Sequence, residues 1–126
     1  MQKKVLIIED DGFIASLITG TLKRADFETN LAIDGEGALK KLETEIPDII
    51  LLDLILPGIG GFEILEKIKR EDKTKKIPVI ILSNLGSQEE IKKGLKSGAD
   101  AYLVKANILP EDVVKKIEEI LNKKLP

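Results

Sequence analysis

Apolar runs and amphipathic stretches alternate along the chain. Unbroken aliphatic runs dominate residues 5–8, 49–53 and 78–83, and a short run without polar alternation is typical of a strand buried on both faces. Residues 28–32 and 101–104 have weaker strand patterns. The hydrophobic pattern therefore predicts five short strands.

Helical spacing of apolar residues follows each predicted strand, so one helix is expected after each. Pro47 ends the second helix. The fourth covers residues 87–97, opened by a capping-box sequence at Ser87 and closed by Gly98. Pro110 begins the fifth. The predicted inward positions are Ile14, Leu17, Ile18, Thr21, Leu22 and Ala25, then Ala38, Leu39, Leu42 and Ile46, then Phe62, Ile64, Leu65 and Ile68, then Ile91 and Leu95, then Val113, Val114, Ile117, Ile120 and Leu121.

This order of elements predicts the fold class. Strands that alternate with helices form parallel sheets with right-handed crossovers. We predict an α/β fold, a doubly wound five-stranded parallel sheet in the flavodoxin-like order 2-1-3-4-5, flanked by five helices. The 126 residues match one domain, so residues 1–126 are expected to form a single unit.

Composition excludes several classes of function. The net charge of -2, with 33% charged residues of both signs, gives no basic surface for nucleic acid. The chain has no Cys and no His, which excludes disulfides, a thiolate nucleophile, a His general base and a phospho-His within this chain. No apolar segment predicts a signal peptide or membrane span. We expect a cytoplasmic protein.

Three carboxylates follow neighbouring strands. Asp53 ends the central aliphatic run, and Glu9 and Asp10 follow the first strand. In the predicted order these strands are neighbours about 4.8 Å apart, so the acids meet at the carboxyl edge, where such sheets bind ligands. Clustered carboxylates repel one another, and an all-oxygen pocket suits Mg²⁺. The backbone carbonyl of Ile55 is placed to complete the metal shell.

A hydroxyl and a cation follow two other strands, at Ser83 and Lys105. This set makes chemical sense if Asp53 receives a phosphoryl group, because the metal and Lys105 would neutralise its oxygens while Ser83 hydrogen-bonds one of them. Each residue also has a plainer role. An Asp at a strand end can cap a helix, and Ser83 can cap the next turn. The acidic turn can favour the helix dipole, and a Lys is usually a solvated surface charge.

These motifs together resemble the receiver domain of two-component response regulators, in its CheY-like single-domain form, over essentially the whole chain. They are Glu9-Asp10, the segment 53–58 (DLILPG), Ser83 and the segment 98–105 (GADAYLVK). The resemblance implies that Asp53 is the phosphoacceptor, that the acids organise Mg²⁺, that Ser83 is the switch hydroxyl and that Lys105 pairs with the phosphoryl oxygens. It also implies that Tyr102 is an aromatic switch that rotates inward. On propensity alone, Tyr102 is a half-buried ring on an edge strand.

Three positions depart from the family pattern. Ala106 stands where the family usually has Pro, often with a cis bond, so the resemblance does not fix the backbone conformation after Lys105. Gly60 stands where Asp is frequent, and Asn84 where a small residue is frequent. None of these removes a residue that the proposed chemistry needs.

The resemblance also implies partners. The phosphoryl donor would be a sensor histidine kinase or phosphotransfer protein in trans, and the protein would catalyse only its own phosphotransfer and dephosphorylation. No output domain is expected, so a downstream protein would bind at the fourth helix, last strand and last helix, with a phosphorylation-dependent dimer left open. Two other hypotheses stand beside this one. A flavin or nucleotide module is disfavoured by the acidic first turn and few aromatics, and a receiver-fold scaffold would act without phosphate.

Overall fold

Five strands and five helices alternate in the structure, a computed structural model that describes residues 2–123; residues 1 and 124–126 of the predicted domain lie outside this range. The strands are Lys4–Ile8 (β1), Glu28–Ala32 (β2), Ile49–Leu52 (β3), Val79–Ser83 (β4) and Ala101–Val104 (β5). The helices are Gly12–Arg24 (α1), Gly35–Thr44 (α2), Gly61–Arg70 (α3), Gln88–Lys96 (α4) and Pro110–Lys123 (α5). A short 3-10 turn, Lys105–Asn107, joins β5 to α5.

All strand pairs are parallel, and the order β2-β1-β3-β4-β5 confirms the predicted topology. Ile8 lies opposite Leu52, so β1 and β3 end side by side. Both faces of β3 are covered, which explains its unbroken aliphatic sequence. One core layer contains Leu6, Ile50 and the inward side of α3, and the other contains Ile7, Leu51 and the inward sides of α1 and α5.

Two predicted helix ends are wrong by one or two residues. Ala25 is the C-cap of α1 rather than part of its inward face, and Asp26 with φ 70° then turns the chain. Helix α2 ends at Thr44, and Ile46 is 42% exposed. The ring of Pro47 disfavours helical backbone in the residue before it, so the helix stops early.

Two predicted inward leucines are largely exposed. Leu17 and Leu95 each keep 45% of their surface in contact with solvent. Leu17 lies at the margin of the α1 stripe, where it lines an apolar groove with Leu109. In α4 the buried position is Gly94, next to Leu95. The sequence pattern missed Gly94 because a glycine adds nothing to a hydrophobic stripe.

The loop between α3 and β4 contains a buried residue, Thr74. The hydroxyl of Thr74 donates to the carbonyl oxygen of Ile68 at 2.6 Å, near the end of α3. A helix end leaves carbonyls without intrahelical partners, and Thr74 supplies one donor. Among the described residues, no helix is both long enough and apolar enough to cross a membrane.

Candidate functional site

Asp53 follows β3 directly and is held on three sides. Its backbone N–H donates to the carbonyl of Ile8 at 3.0 Å, which ties it to the end of β1. Its Oδ1 accepts from the N–H of Ile55 at 3.2 Å, and its Oδ2 accepts from Lys105 Nζ at 3.0 Å. The residue is only 5% exposed. A carboxylate this buried needs partners, and Lys105 is the charged one.

Glu9 and Asp10 lie beside Asp53, as the strand order predicted. Glu9 is 3% exposed, and its Oε1 accepts from Lys105 Nζ at 2.6 Å. Its Oε2 accepts from the N–H of Asp11 at 3.1 Å. Asp10 is exposed, and one oxygen from each of Glu9, Asp10 and Asp53 lies within 4.8 Å of the others. The geometry therefore brings all three predicted acids together.

The charges of this cluster do not balance. Burial raises the pKa of Glu9, and the nearby charge of Asp53 adds to this, although hydrogen bonds from Lys105 and Asp11 oppose it. Burial lowers the pKa of Lys105, but its hydrogen bonds to Glu9 and Asp53 outweigh burial and leave the pKa raised. The Lys105 ammonium contacts Glu9 and Asp53, so one positive charge faces a cluster of three carboxyl groups. The excess of negative charge and the all-oxygen donor set fit a hard divalent cation such as Mg²⁺.

An open cavity of about 290 Å³ gives access to the acids. Its lining residues are Glu9, Asp10, Asp11, Ile14, Asp53, Ile55, Asn84 and Lys105. Asn84, one of the three departures from the family pattern, thus lies at the site. Ile55 is also part of the wall, and its carbonyl as a metal ligand stays a prediction.

Ser83 is fully buried at the end of β4, opposite Val104 of β5. Its Oγ accepts from the N–H of Leu85 at 3.3 Å. Sequence reasoning placed this hydroxyl at the correct edge of the sheet. Its observed bond is the local one that the plainer role anticipated, and its contact with a phosphoryl group stays a prediction.

Tyr102 is half-buried on the edge strand β5, and its hydroxyl donates to the carbonyl oxygen of Leu85. Burial raises the pKa of Tyr102, and the charges of Glu90 and Asp53 add to the effect. Ser83 and Tyr102 therefore bond to the N–H and the carbonyl of the same residue, Leu85. This link was not predicted, because it depends on backbone groups that any residue supplies.

The remaining departures lie near the site. Ala106 is in the 3-10 turn that begins at Lys105. Gly60 is the N-cap of α3 and has no side chain to accept a hydrogen bond there. An Asp at this position would supply the missing cap.

Two cavity residues were not predicted. Asp11 is the N-cap of α1, where its side chain accepts from the N–H groups of Phe13 and Ile14. Asp11 is thus the residue of the acidic turn that serves the N-terminus of α1 directly. Ile14 lines the cavity one turn into α1. The cap signal was visible in the sequence, whereas the position of Ile14 depends on how α1 packs.

The chain matches a known family over most of its length. The family model for the response regulator receiver domain matches residues 5–118. The phosphate regulon transcriptional regulatory protein PhoB of Escherichia coli (strain K12) is 33% identical over 126 residues, which cover 100% of this chain and 55% of that protein.

Two solved structures are similar in shape. The Francisella response regulator 1452 receiver domain has a TM-score of 0.91 and 31% identity, covering 98% of this chain and 100% of that one. A CheY-like response regulator receiver domain protein from Methanospirillum hungatei JF-1 has a TM-score of 0.89 and 31% identity, covering 98% of this chain and 96% of that one. The chain spans about half the length of the curated relatives it matches.

Proposed function

The chain belongs to the response regulator receiver family, and we propose that it is switched by phosphorylation of Asp53, with a phosphohistidine of a separate kinase or phosphotransfer protein as the donor. Members of this family are regulatory switches rather than enzymes that act on a separate substrate. The observation that carries the proposal is the contact of Lys105 Nζ with both Asp53 and Glu9, at 3.0 and 2.6 Å. The donor histidine must lie outside residues 1–126, because these residues contain no His.

The chemical step needs one nucleophile and compensating positive charge. A carboxylate oxygen of Asp53 forms a bond to phosphorus while the P–N bond to the donor imidazole breaks, and the imidazole nitrogen keeps the electron pair. Lys105 already donates to Asp53, so its ammonium lies where the phosphoryl oxygens would gather negative charge. In dephosphorylation, a water oxygen bonds to phosphorus while the P–O bond to Asp53 breaks. The carboxylate of Asp53 keeps the electron pair, and inorganic phosphate leaves with the protons of the water.

Glu9, Asp10 and Asp53, with the predicted carbonyl of Ile55, would hold Mg²⁺, which would supply further positive charge to the phosphoryl oxygens. The residues of the chain provide the remaining functions. Lys105 keeps Glu9 and Asp53 oriented in the metal-free protein. The N–H of Ile55 fixes the other oxygen of Asp53.

The response would pass from the site to α4 and β5. Ser83 would bond a phosphoryl oxygen and give up its bond with the N–H of Leu85, and Tyr102 would respond because it bonds the carbonyl of that residue. A downstream protein would then bind the altered surface formed by α4, β5 and α5. Any such change is a shift between two conformations that both exist before phosphorylation.

A small phosphoramidate tests this proposal without knowledge of the kinase, because its P–N bond resembles that of phosphohistidine. With Mg²⁺ present, mass spectrometry should show one added phosphoryl group on the wild-type protein and none on Asp53→Asn. Asp72→Asn is the matched control, since this carboxylate is 95% exposed and pairs with Lys75 at the surface. Chelation of Mg²⁺ should abolish labelling of the wild type.

The alternative functions give different results. A scaffold that acts without phosphate would take up no phosphoryl group on any variant and would still bind its partner. Labelling of Asp53→Asn at the wild-type rate would contradict the assignment of the phosphoacceptor. A flavin module would carry a visible-absorbing cofactor when purified.

A further inference from the structure

Helix α4 approaches the sheet through a glycine. Gly94 is the one buried residue among the 9 of α4, all of which the structure describes. Ile91 is half-buried and Leu95 is 45% exposed, so neither fills the space beneath the helix as a core leucine would. The buried position at which α4 meets the sheet is therefore a glycine.

The space in front of Gly94 is occupied by two side chains. A Cβ at this position would lie 2.6 Å from Cδ1 of Ile81 and 3.0 and 3.3 Å from Cδ2 and Cε2 of Tyr102. Ile81 and Tyr102 are opposite each other on β4 and β5, so their side chains form one surface. The ring of Tyr102 and helix α4 can occupy their present positions together only because residue 94 has no side chain.

Other contacts hold the neighbouring parts of α4. A capping box between Ser87 and Glu90 fixes its first turn. Lys93 Nζ lies 4.2 Å from the centroid of the Phe62 ring, which joins α4 to the start of α3. The contact of Gly94 with Tyr102 connects the middle of the helix to a side chain that is bonded to the loop after Ser83.

We propose that Gly94 is a positioning residue that couples the ring of Tyr102 to helix α4. With the ring in place, α4 rests against it and can come no closer to β5. When the ring leaves, α4 loses this support and moves into the vacated space, which changes the surface it presents. The coupling itself follows from the packing; its use in signalling rests on the proposed phosphorylation of Asp53.

Tyrosine fluorescence offers a specific measurement, because the chain has one Tyr and no Trp. In Gly94→Ala the new methyl group should displace the ring, so quenching of Tyr102 by acrylamide should rise roughly twofold as the half-buried ring becomes exposed. Gly20→Ala is the matched control inside α1. A Cβ there meets only Nη1 of Arg24 at 3.3 Å, the end of a flexible side chain, and quenching should stay at the wild-type value.

A second pair of variants covers the case in which Gly94→Ala does not fold. Ile81→Val removes the Cδ1 atom that lies 2.6 Å from the new methyl group, which leaves the ring as the main obstacle. Adding Gly94→Ala to Ile81→Val should again raise quenching roughly twofold relative to Ile81→Val alone. Equal quenching with and without the methyl group, in either background, would overturn the coupling.

A phosphoryl mimic separates this inference from the proposed function. Beryllofluoride with Mg²⁺ should change the Tyr102 fluorescence of the wild type. Gly94→Ala should also bind the mimic, which fluorine NMR detects, but most of the fluorescence change should be lost. A wild type that binds no beryllofluoride would contradict the proposed function and leave the quenching comparison to decide the role of Gly94. A full wild-type response in Gly94→Ala would count against the coupling.

Discussion

Replacement of Lys105 by methionine should destabilise the metal-free protein strongly. The Lys105 side chain is 12% exposed, and the side chains of its two carboxylate partners, Glu9 and Asp53, are 3% and 6% exposed. Removal of one partner from such a buried ionic group leaves an uncompensated charge and typically costs about 3–5 kcal/mol. We expect a loss of about 3 kcal/mol at pH 8, the lower end of this range, because the cavity is open to water on the side of Asp10.

The loss should depend on pH in a definite direction. The pKa of Glu9 is already raised in the folded protein, and removal of the ammonium raises it further. A carboxyl group whose folded pKa lies above its unfolded value destabilises the fold increasingly as pH rises from the unfolded pKa to the folded one. The deficit of Lys105→Met should therefore be small near pH 4.5, the ordinary pKa of Glu, and grow towards neutral pH.

Urea unfolding followed by circular dichroism, in buffer with a chelator, measures this deficit. Lys75→Met is the control, since its ion pair with Asp72 is exposed and such pairs contribute about 0–1 kcal/mol. Mg²⁺ should restore more stability to Lys105→Met than to the wild type, because the cation enters a more negative cluster. A variant as stable as the wild type at pH 8, or a deficit that grows towards acid, would refute this account of the site.

Three further predictions concern the frame of the site and its metal. Gly61→Ala should destabilise the protein by about 3 kcal/mol or prevent folding, because the new Cβ would lie 2.4 Å from Cα of Leu54 and 2.5 Å from the carbonyl oxygen of Asp53. Gly60→Ala is the control, since a Cβ there would have nothing within 4 Å and should leave the melting temperature nearly unchanged. Equal melting temperatures for the two variants would contradict the packing argument. Thr74→Val should lower the free energy of unfolding in urea by about 1–2 kcal/mol, because it removes the hydrogen-bond donor to Ile68. Thr74→Ser keeps the hydroxyl and should lose less stability. A larger loss in Thr74→Ser than in Thr74→Val would show that the methyl group matters more than the hydroxyl. Mg²⁺ affinity, measured by calorimetry, should fall as pH is lowered through the raised pKa of Glu9, because the proton competes with the metal, and an affinity independent of pH between neutral pH and pH 4.5 would count against Glu9 as a ligand.

Sequence alone was sufficient for the architecture and for the edge of the sheet at which the candidate site lies. Aliphatic runs such as that of β3 are typical of buried strands, and strands that alternate with amphipathic helices typically form a parallel sheet. Once the order was predicted, the acids after β1 and β3 had to meet. The similar solved structures support the same fold. Helix ends and the margins of apolar stripes were less certain, as Ile46 and Leu95 show.

Only the tertiary structure decided which contacts join these parts. No local sequence pattern shows that Lys105 contacts both Glu9 and Asp53. The same is true of the bonds that Ser83 and Tyr102 make with Leu85, and of the approach of Gly94 to the Tyr102 ring. Burial and strand order follow from the periodicity of many residues acting together, so a single sequence determines them. A contact between two particular atoms depends on packing across several elements, and a glycine or a backbone carbonyl that makes such a contact leaves no mark on the hydrophobic pattern.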